Sequence, residues 1–265
     1  MKKKLALIGA LAMSVMMLAG CGGGAGDTFT VGFDAEFPPY GYRDDNGEYV
    51  GFDLDLAAEV CERQGWELVK QPIDWDAKDM ELSSGSIECI WNGFTMNGRE
   101  DAYTWTEAYV DNSQVFVVPA ASGVTAKADL AGKIVAVQKD SSALAALNDE
   151  ENAENIALRD SFAQLIEYAD YNTAFMDLEQ GAVDAVAIDI GVAQYQIEQR
   201  EAGKFVMLAG EENKLAVEQY GVGFLLGNTE LRDTVQATLE EMAKDGTFMS
   251  IAEEWGLTDS VCLGK

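Results

Sequence analysis

A pattern that occurs twice is the feature that most constrains the fold of this chain. Residues 82–90 and 178–186 each read as the end of a helix, then a glycine, an acidic residue and an apolar strand. Gly93 and Asp189 lie at the same distance after the two glycines, so they occupy the same point beyond their strands. A fainter echo relates residues 31–34 to residues 135–138. Either the chain holds two similar lobes that share a cleft, or these units are only those that recur in any α/β protein.

The rest of the chain also alternates between strand and helix, which predicts an α/β fold. Asp53 falls in the first turn of a predicted helix, where the helix dipole favours acidic residues, and Thr229 is predicted to cap a long helix that ends at Gly246. We expect strands at 29–33, 66–69, 87–91, 115–118, 133–137, 156–158, 183–188, 205–208 and 220–225, and helices at 53–64, 77–83, 171–180, 191–201, 229–245 and 247–255, with a further helix starting at 143.

Residues 1–20 have the anatomy of a signal peptide, because three lysines precede an apolar run from 5 to 18. The sequence Leu18-Ala19-Gly20-Cys21 resembles a bacterial lipobox, which predicts cleavage before Cys21 and lipid on its sulfur. Residues 21–27 would then form a glycine-rich, flexible tether. A transmembrane anchor and a plain secretory signal are the alternatives, and the shortness of the apolar run disfavours the first.

The charge and the residue types exclude several classes of function. A formal net charge of -28 argues against nucleic acid and anionic membrane surfaces as partners. The chain has no histidine, which excludes His-based triads, general bases and metal ligands. Cys61, Cys89 and Cys262 lack CxxC spacing and allow at most one disulfide in a monomer, and we expect Cys61 and Cys89 in the core. We therefore expect neither a metal nor another cofactor.

The polar loop at 92–99 is the first candidate site. It follows an apolar segment at 87–91, and open α/β sheets bind ligands at the carboxyl ends of their strands. Arg99 offers a bidentate guanidinium suited to a carboxylate, Thr95 offers a hydroxyl, and Gly93 lets a ligand approach the backbone. The alternative is an ordinary surface loop with a solvated arginine.

Seven stretches, taken in order, resemble the extracellular solute-binding proteins of bacterial family 3, the polar amino-acid-binding proteins of ABC importers. They are VGFDAEFPPY (31–40), GFDLDLA (51–57), GFT (93–95) with Arg99, DLAGK (129–133) with Ser141-Ser142, GAVDAV (181–186) with Asp189, YGVG (220–223) and KDGT (244–247). The likeness covers nearly all of the chain after the signal peptide.

This resemblance implies a two-lobed periplasmic-binding-protein-like fold of type II, with two α/β lobes joined by two crossing strands and a ligand cleft between them. The crossings would fall near 112–115 and 219–222. The first lobe would comprise residues 28–113 and 221–265, and the second residues 114–220. Members of the family close over their ligand by a hinge motion.

The resemblance also implies how a free amino acid would be held. Arg99 would clamp the carboxylate with the amides of Ser142 and Thr95, and Asp189 would take the ammonium with the Gly93 carbonyl and the Thr95 hydroxyl. Two aromatic rings would form walls, and three polar residues would read a polar or cationic side chain. The walls are Phe37 and Trp75, the side-chain readers are Asp34, Asn92 and Gln138, and Ser141 completes the set.

The function implied is that of a monomeric receptor, anchored to the outside of the cell membrane through its N-terminal lipid, which delivers an amino acid to ABC permease subunits. One alternative is an enzyme on the same scaffold, such as a dehydratase of cyclic acids, with Glu36 or Asp34 as the general acid. Another is a sensory lipoprotein with no importer partner. The sequence does not name the amino acid.

Overall fold

The structure, a computed structural model, describes residues 27–265 and contains a five-stranded sheet and a six-stranded sheet, both flanked by helices. Its strands are β1 (Thr28–Phe33), β2 (Glu36–Phe37), β3 (Gly41–Arg43), β4 (Tyr49–Val50), β5 (Glu67–Pro72), β6 (Cys89–Ile90), β7 (Tyr103–Trp105), β8 (Val110–Pro119), β9 (Ile134–Gln138), β10 (Gln164–Tyr168), β11 (Ala185–Asp189), β12 (Phe205–Met207), β13 (Ala216–Tyr220) and β14 (Gly223–Leu225). Its α-helices are α1 (Phe52–Gln64), α2 (Lys78–Ser84), α3 (Ser142–Leu147), α4 (Ala153–Ser161), α5 (Tyr171–Gln180), α6 (Ile190–Glu198), α7 (Thr229–Asp245) and α8 (Thr247–Glu254). The predicted signal peptide and the lipidated Cys21 lie outside the described residues.

The two large sheets have the same strand order and direction. The first runs β5-β1-β6-β14-β7 and the second β10-β9-β11-β8-β12. In each, the first three strands are parallel and the fourth is antiparallel to the third. The repeated sequence units supply equivalent strands, since β6 pairs with β1 (Cys89 opposite Val31) and β11 with β9 (Ala185 opposite Val135). The fold is therefore the two-lobed α/β arrangement, with the repeat built into both lobes.

Glycine ends the helix of each repeated unit. Gly85 and Gly181 have φ values of 76° and 73°, a left-handed conformation that costs glycine little. The amide of the residue after each glycine donates back to its helix, at 3.1 Å after Gly85 and 2.9 Å after Gly181. The two turns that lead into β6 and β11 are thus built in the same way.

Two antiparallel strands connect the sheets. The chain leaves the first sheet after β7, crosses through β8 into the second sheet, and returns through β13 to β14. Residues 110–114 of β8 pair with residues 216–220 of β13, with Asn112 opposite Glu218. We call this two-stranded segment the connecting ribbon.

The core is apolar and contains two of the cysteines. Cys61 and Cys89 are buried, as predicted, and no disulfide joins cysteines within residues 27–265. Burial raises the pKa of the Cys61 thiol to about 11, which makes it a weak nucleophile. No helix in the described part of the chain is long and apolar enough to cross a membrane.

Three local predictions were wrong. Residues 156–158, predicted as a strand, lie within α4, whose N-cap Asn152 accepts a hydrogen bond from the amide of Asn155 at 3.1 Å. The strand of this region is β10, just after that helix. Asn228, and not Thr229, is the N-cap of α7. The predicted strand at 220–225 is interrupted at residues 221–222: β13 ends just before them and β14 begins just after them.

Candidate functional site

The loop after β6 is held in place from behind by a buried acid. Gly93 has a φ of 55°, and its amide donates to Oδ2 of Asp53 at 2.6 Å. Tyr109 donates its hydroxyl to the other oxygen of the same carboxylate at 2.8 Å. A Cβ at position 93 would lie 2.8 Å from the Phe37 ring, so the backbone passes unusually close to that ring. Burial raises the pKa of Asp53 to about 7, and the hydrogen bonds from Gly93 and Tyr109 oppose that rise.

The loop is also tied to the connecting ribbon. The Met96 amide donates to the Gln219 carbonyl at 2.9 Å, and the Gly221 amide donates to the Phe94 carbonyl at 3.0 Å. Thr95 lies between these two bonds and is 2% exposed. The position of its backbone is therefore fixed by the strand that returns from the second sheet.

Arg99 reaches from the first lobe to the second. Its Nη1 donates to the Thr95 carbonyl and its Nη2 to the Asp140 carbonyl, both at 3.2 Å. The guanidinium lies 5.3 Å from the centroid of the Phe94 ring. Within residues 27–265 no carboxylate forms an ion pair with Arg99. The guanidinium thus keeps donors suited to a bidentate anion.

The end of β9 and the start of α3 supply the facing polar groups. Ser141 is the N-cap of α3, and its hydroxyl accepts a hydrogen bond from the Leu144 amide at 3.2 Å. Gln138 donates from Nε2 across the cleft to Oδ2 of Asp34 at 2.7 Å. Asp34 also accepts the Glu36 amide at 2.8 Å. Burial raises the pKa of Asp34 to about 6, against the lowering effect of these two hydrogen bonds.

Asp189 ends β11 and is 3% exposed. Its Oδ1 accepts hydrogen bonds from Asn112 Nδ2 at 2.7 Å, Gln114 Nε2 at 2.6 Å and the Tyr220 hydroxyl at 2.6 Å. Burial, and then the charge of Glu218, raise the pKa of Asp189 to about 7. The three donors all come from the connecting ribbon, so the ribbon sets the orientation of this carboxylate.

Glu218, in the middle of β13, was missed in the sequence. It is 4% exposed, and its Oε1 accepts hydrogen bonds from hydroxyls of both lobes, Thr95 at 2.8 Å and Ser142 at 3.0 Å. The same oxygen accepts from Asn112 Nδ2 and Gln114 Nε2, both at 2.7 Å. The only available signal was an acid two residues before the YGVG stretch, in a segment with no predicted strand.

One cavity between the sheets brings the predicted residues together. All but one of the eleven line it, and the exception, Asp34, touches it through the hydrogen bond to Gln138. The space between these residues, counted together with its solvent-open part, is about 280 Å³. The lining residues are Phe37, Trp75, Asn92, Gly93, Thr95, Arg99, Gln138, Ser141, Ser142 and Asp189.

Two ion pairs join the lobes close to residues that line this cavity. Lys78, which is only 2% exposed, forms an ion pair with Asp140 of the second lobe. Lys139 pairs with Asp76 at 3.3 Å. The two lobes therefore meet at the rim of the cavity as well as through the connecting ribbon.

The cavity is chemically polarised. A guanidinium lies on the side of the first lobe, a carboxylate lies at the strand end of the second lobe, and aromatic rings line the space. The described residues contain no cluster of three or more acidic or cysteine side chains arranged to hold a metal ion. Such a site suits a small ligand that carries an anion at one end and a cation at the other.

The comparisons agree with this geometry. The model of the bacterial extracellular solute-binding proteins, family 3, matches residues 29–258. The L-cystine-binding protein TcyJ of Escherichia coli is 27% identical over 86% of this chain and 82% of its own length. The L-arginine-binding protein of Pseudomonas aeruginosa is 26% identical over 96% of each chain. A substrate-binding protein of an ABC uptake transporter from Streptococcus pneumoniae, solved with bound histidine, superposes with a TM-score of 0.80, at 32% identity over 86% of this chain and 92% of its own.

Proposed function

This chain belongs to the bacterial extracellular solute-binding proteins of family 3, and on that premise we propose that it binds a free amino acid in the cavity and delivers it to the permease of an ABC importer. The observation that carries the proposal is that Arg99 and Asp189 line one cavity from opposite lobes. Neither is in an ion pair with another described residue, so each can pair with a charged group of a ligand.

In the proposed pose the ligand carboxylate faces Arg99 and the ammonium faces Asp189. The amides of Ser142 and Thr95 add donors to the carboxylate. The Gly93 carbonyl and the Thr95 hydroxyl add acceptors to the ammonium. Because α3 has only six residues, we assign the contribution of Ser142 to its hydrogen bond and not to a helix dipole.

The ligand side chain would lie between Phe37 and Trp75. Asp34, Gln138 and Asn92 are the polar groups at this end, which favours a polar or cationic amino acid. Relatives named for cystine, arginine and histidine are consistent with such a preference. In this role Asp34 accepts hydrogen bonds, as it does from Glu36 and Gln138, and the protein acts by binding and not by catalysis.

The connecting ribbon would be the hinge. We place the lobe boundaries at 28–113 with 221–265 for the first lobe and 114–220 for the second, and the ligand would stabilise the closed state by contacting both. Residues 1–20 would be removed, and lipid on Cys21 would hold a monomer outside the membrane beside its permease.

Calorimetry with the common amino acids, on wild type, Arg99→Ala and Arg159→Ala, tests the proposal. Loss of a buried, bidentate anion contact costs about 3 kcal/mol or more, so Arg99→Ala should weaken binding at least about 100-fold. Arg159 pairs with Asp160 away from the cavity, so Arg159→Ala should bind like wild type. If wild type binds none of the amino acids, or if Arg99→Ala binds as tightly as wild type, the proposal is wrong.

A further inference from the structure

Two buried carboxyl groups lie side by side at the ammonium end of the cavity. We infer that Asp189, held beside the carboxyl group of Glu218, binds a proton when the cavity holds no ligand, and releases it when an ammonium group binds. This inference rests on the proposed function. It makes Glu218, which lies behind the cavity lining, a positioning residue that acts through Asp189, Thr95 and Ser142.

The geometry makes the two acids a pair. The side-chain amide of Asn112 donates to Oδ1 of Asp189 and to Oε1 of Glu218, at 2.7 Å each. The amide of Gln114 bridges the same two oxygens, at 2.6 and 2.7 Å. Because one nitrogen contacts both oxygens, and does so twice, the two carboxyl groups lie within a few ångströms of each other. A like charge on Glu218 at that separation disfavours ionisation of Asp189 and so favours a proton on its carboxyl group.

No cation in the described structure neutralises the pair. Lys and Arg side chains of residues 27–265 form no ion pair with either acid. Arg99, the only cation in the cavity lining, donates to the carbonyls of Thr95 and Asp140. The other titratable groups that face the pair are phenols, Tyr40, Tyr171 and Tyr220, and burial raises the pKa of each further above its usual value.

The amides that bridge the pair add a second, independent observation. The side-chain oxygens of Asn112 and Gln114 are buried and accept no hydrogen bond from the described residues. Both NH₂ groups point at the carboxylates, which leaves a cluster rich in acceptors and short of positive charge. A proton or an ammonium group is what such a cluster binds.

Binding would then exchange one cation for another. In the ligand-free protein the carboxyl group of Asp189 is protonated. The incoming ammonium pairs with the Asp189 carboxylate, and the proton of Asp189 passes to the buffer. Burial raises the pKa of Asp189 to about 7, so the exchange should occur from about pH 7 downward. Below about pH 7, affinity should fall by up to about tenfold for each unit by which the pH decreases.

Proton release is measured by calorimetry in two buffers of different ionisation enthalpy, between about pH 5.5 and 8. The probe is the tightest binder among L-arginine, L-lysine and L-glutamine, whose side chains do not change charge in that range. The variants are Glu218→Gln and, as a matched control, Glu151→Gln on an exposed turn. Wild type and Glu151→Gln should release between about half a proton and one proton per ligand near pH 6, and less near pH 8. In Glu218→Gln the midpoint of release should move down by about one pH unit or more, because Asp189 loses the neighbouring charge.

Equal release profiles in wild type and Glu218→Gln would overturn the inference, as would tight binding with no release in wild type. If no amino acid binds, the proposed function fails, and the ligand-free protein still tests the pair. A carboxyl pKa raised in the folded state adds stability at low pH, which is lost as pH rises from about 4 to 7. The melting temperature of wild type should therefore fall between about pH 4 and 7, and it should fall less in Glu218→Gln. Equal slopes would show that Glu218 does not favour the proton on Asp189.

Discussion

The loop after β6 and the end of β11 occupy equivalent positions in the two lobes, yet they present different chemistry to the same cavity. In the first lobe the strand leads to Gly93, whose backbone faces the cavity while the acid, Asp53, lies behind it. In the second lobe the acid itself, Asp189, faces the cavity and a second acid, Glu218, lies behind it. The shared strands and glycine turns form the scaffold, and the residues just beyond the strands determine what each lobe contributes.

The clearest way to break this comparison is to remove each acid in turn. Asp189→Ala should weaken amino-acid binding at least about 100-fold, because a buried ammonium would lose its counter-charge. Its free energy of unfolding should fall by only about 1 kcal/mol, because the buried Tyr220 hydroxyl loses its acceptor while Asn112 and Gln114 still donate to Glu218 and a repulsion is removed. Calorimetry and urea unfolding measure the two effects.

Asp53→Ala should lower the stability of the protein more than its affinity for the ligand. It leaves the Gly93 amide and the Tyr109 hydroxyl buried without an acceptor, which costs about 2–3 kcal/mol of stability. Binding should weaken less than in Asp189→Ala, because the ligand does not contact this acid. The structure indicates that Asp189 serves mainly binding and Asp53 mainly stability. A larger loss of stability in Asp189→Ala, together with a larger loss of affinity in Asp53→Ala, would contradict this division.

Glycine substitutions sharpen the comparison at a smaller scale. Gly93→Ala should cost about 2–4 kcal/mol of stability, because its φ is 55° and the new Cβ would press on Phe37 at 2.8 Å. Displacement of the Phe37 ring, which lines the cavity, should also weaken binding. Gly181→Ala is the matched control, since its φ is 73° but no atom lies within 4 Å of the added Cβ. It should cost about 1 kcal/mol and leave affinity unchanged, and a similar loss of affinity in both variants would contradict the proposed closeness of Gly93 to the ligand.

The repeat is the part of the fold that the sequence predicts best, because a glycine that ends a helix and an apolar strand after it are local signals. The wrong prediction at 156–158 was also local: three apolar-rich positions suggested a strand, while the cap that starts α4 at Asn152 was overlooked. β13 could not be predicted in this way. Its hydropathy does not follow its burial, because the acid Glu218 is buried while Val217 is exposed, and it is a strand because it pairs with β8, a contact between residues about a hundred positions apart.

The site divides along the same line. The positions that line the cavity follow strand ends and carry distinctive residues, so a resemblance in sequence was enough to propose them. Glu218 and Asp53 lie behind the cavity and are buried. Asp53 is in the first turn of a helix and Glu218 is in a short polar segment, and an acidic residue in either place is not expected to be buried. Asp53 was interpreted as favouring the helix dipole, whereas its carboxylate accepts from Gly93 and Tyr109. Only the packing of distant segments reveals these supporting acids.

The smallest expected effect tests whether the two scaffolds are equivalent. The acid of each repeated unit accepts a backbone hydrogen bond from the neighbouring strand: Glu88 from the Thr30 amide and Asp184 from the Ile134 amide. Glu88→Ala and Asp184→Ala should each cost about 1 kcal/mol, because water reaches both half-buried sites and replaces part of the bond. Neither side chain lines the cavity, so affinity should not change. In the double variant the costs should add to within about 0.5 kcal/mol, since the sites belong to different sheets and share no contact. Urea unfolding measures the free energy of unfolding of all three variants. A large difference between the single variants would mean that the two repeated units have the same geometry but that their hydrogen bonds stabilise the protein to different extents.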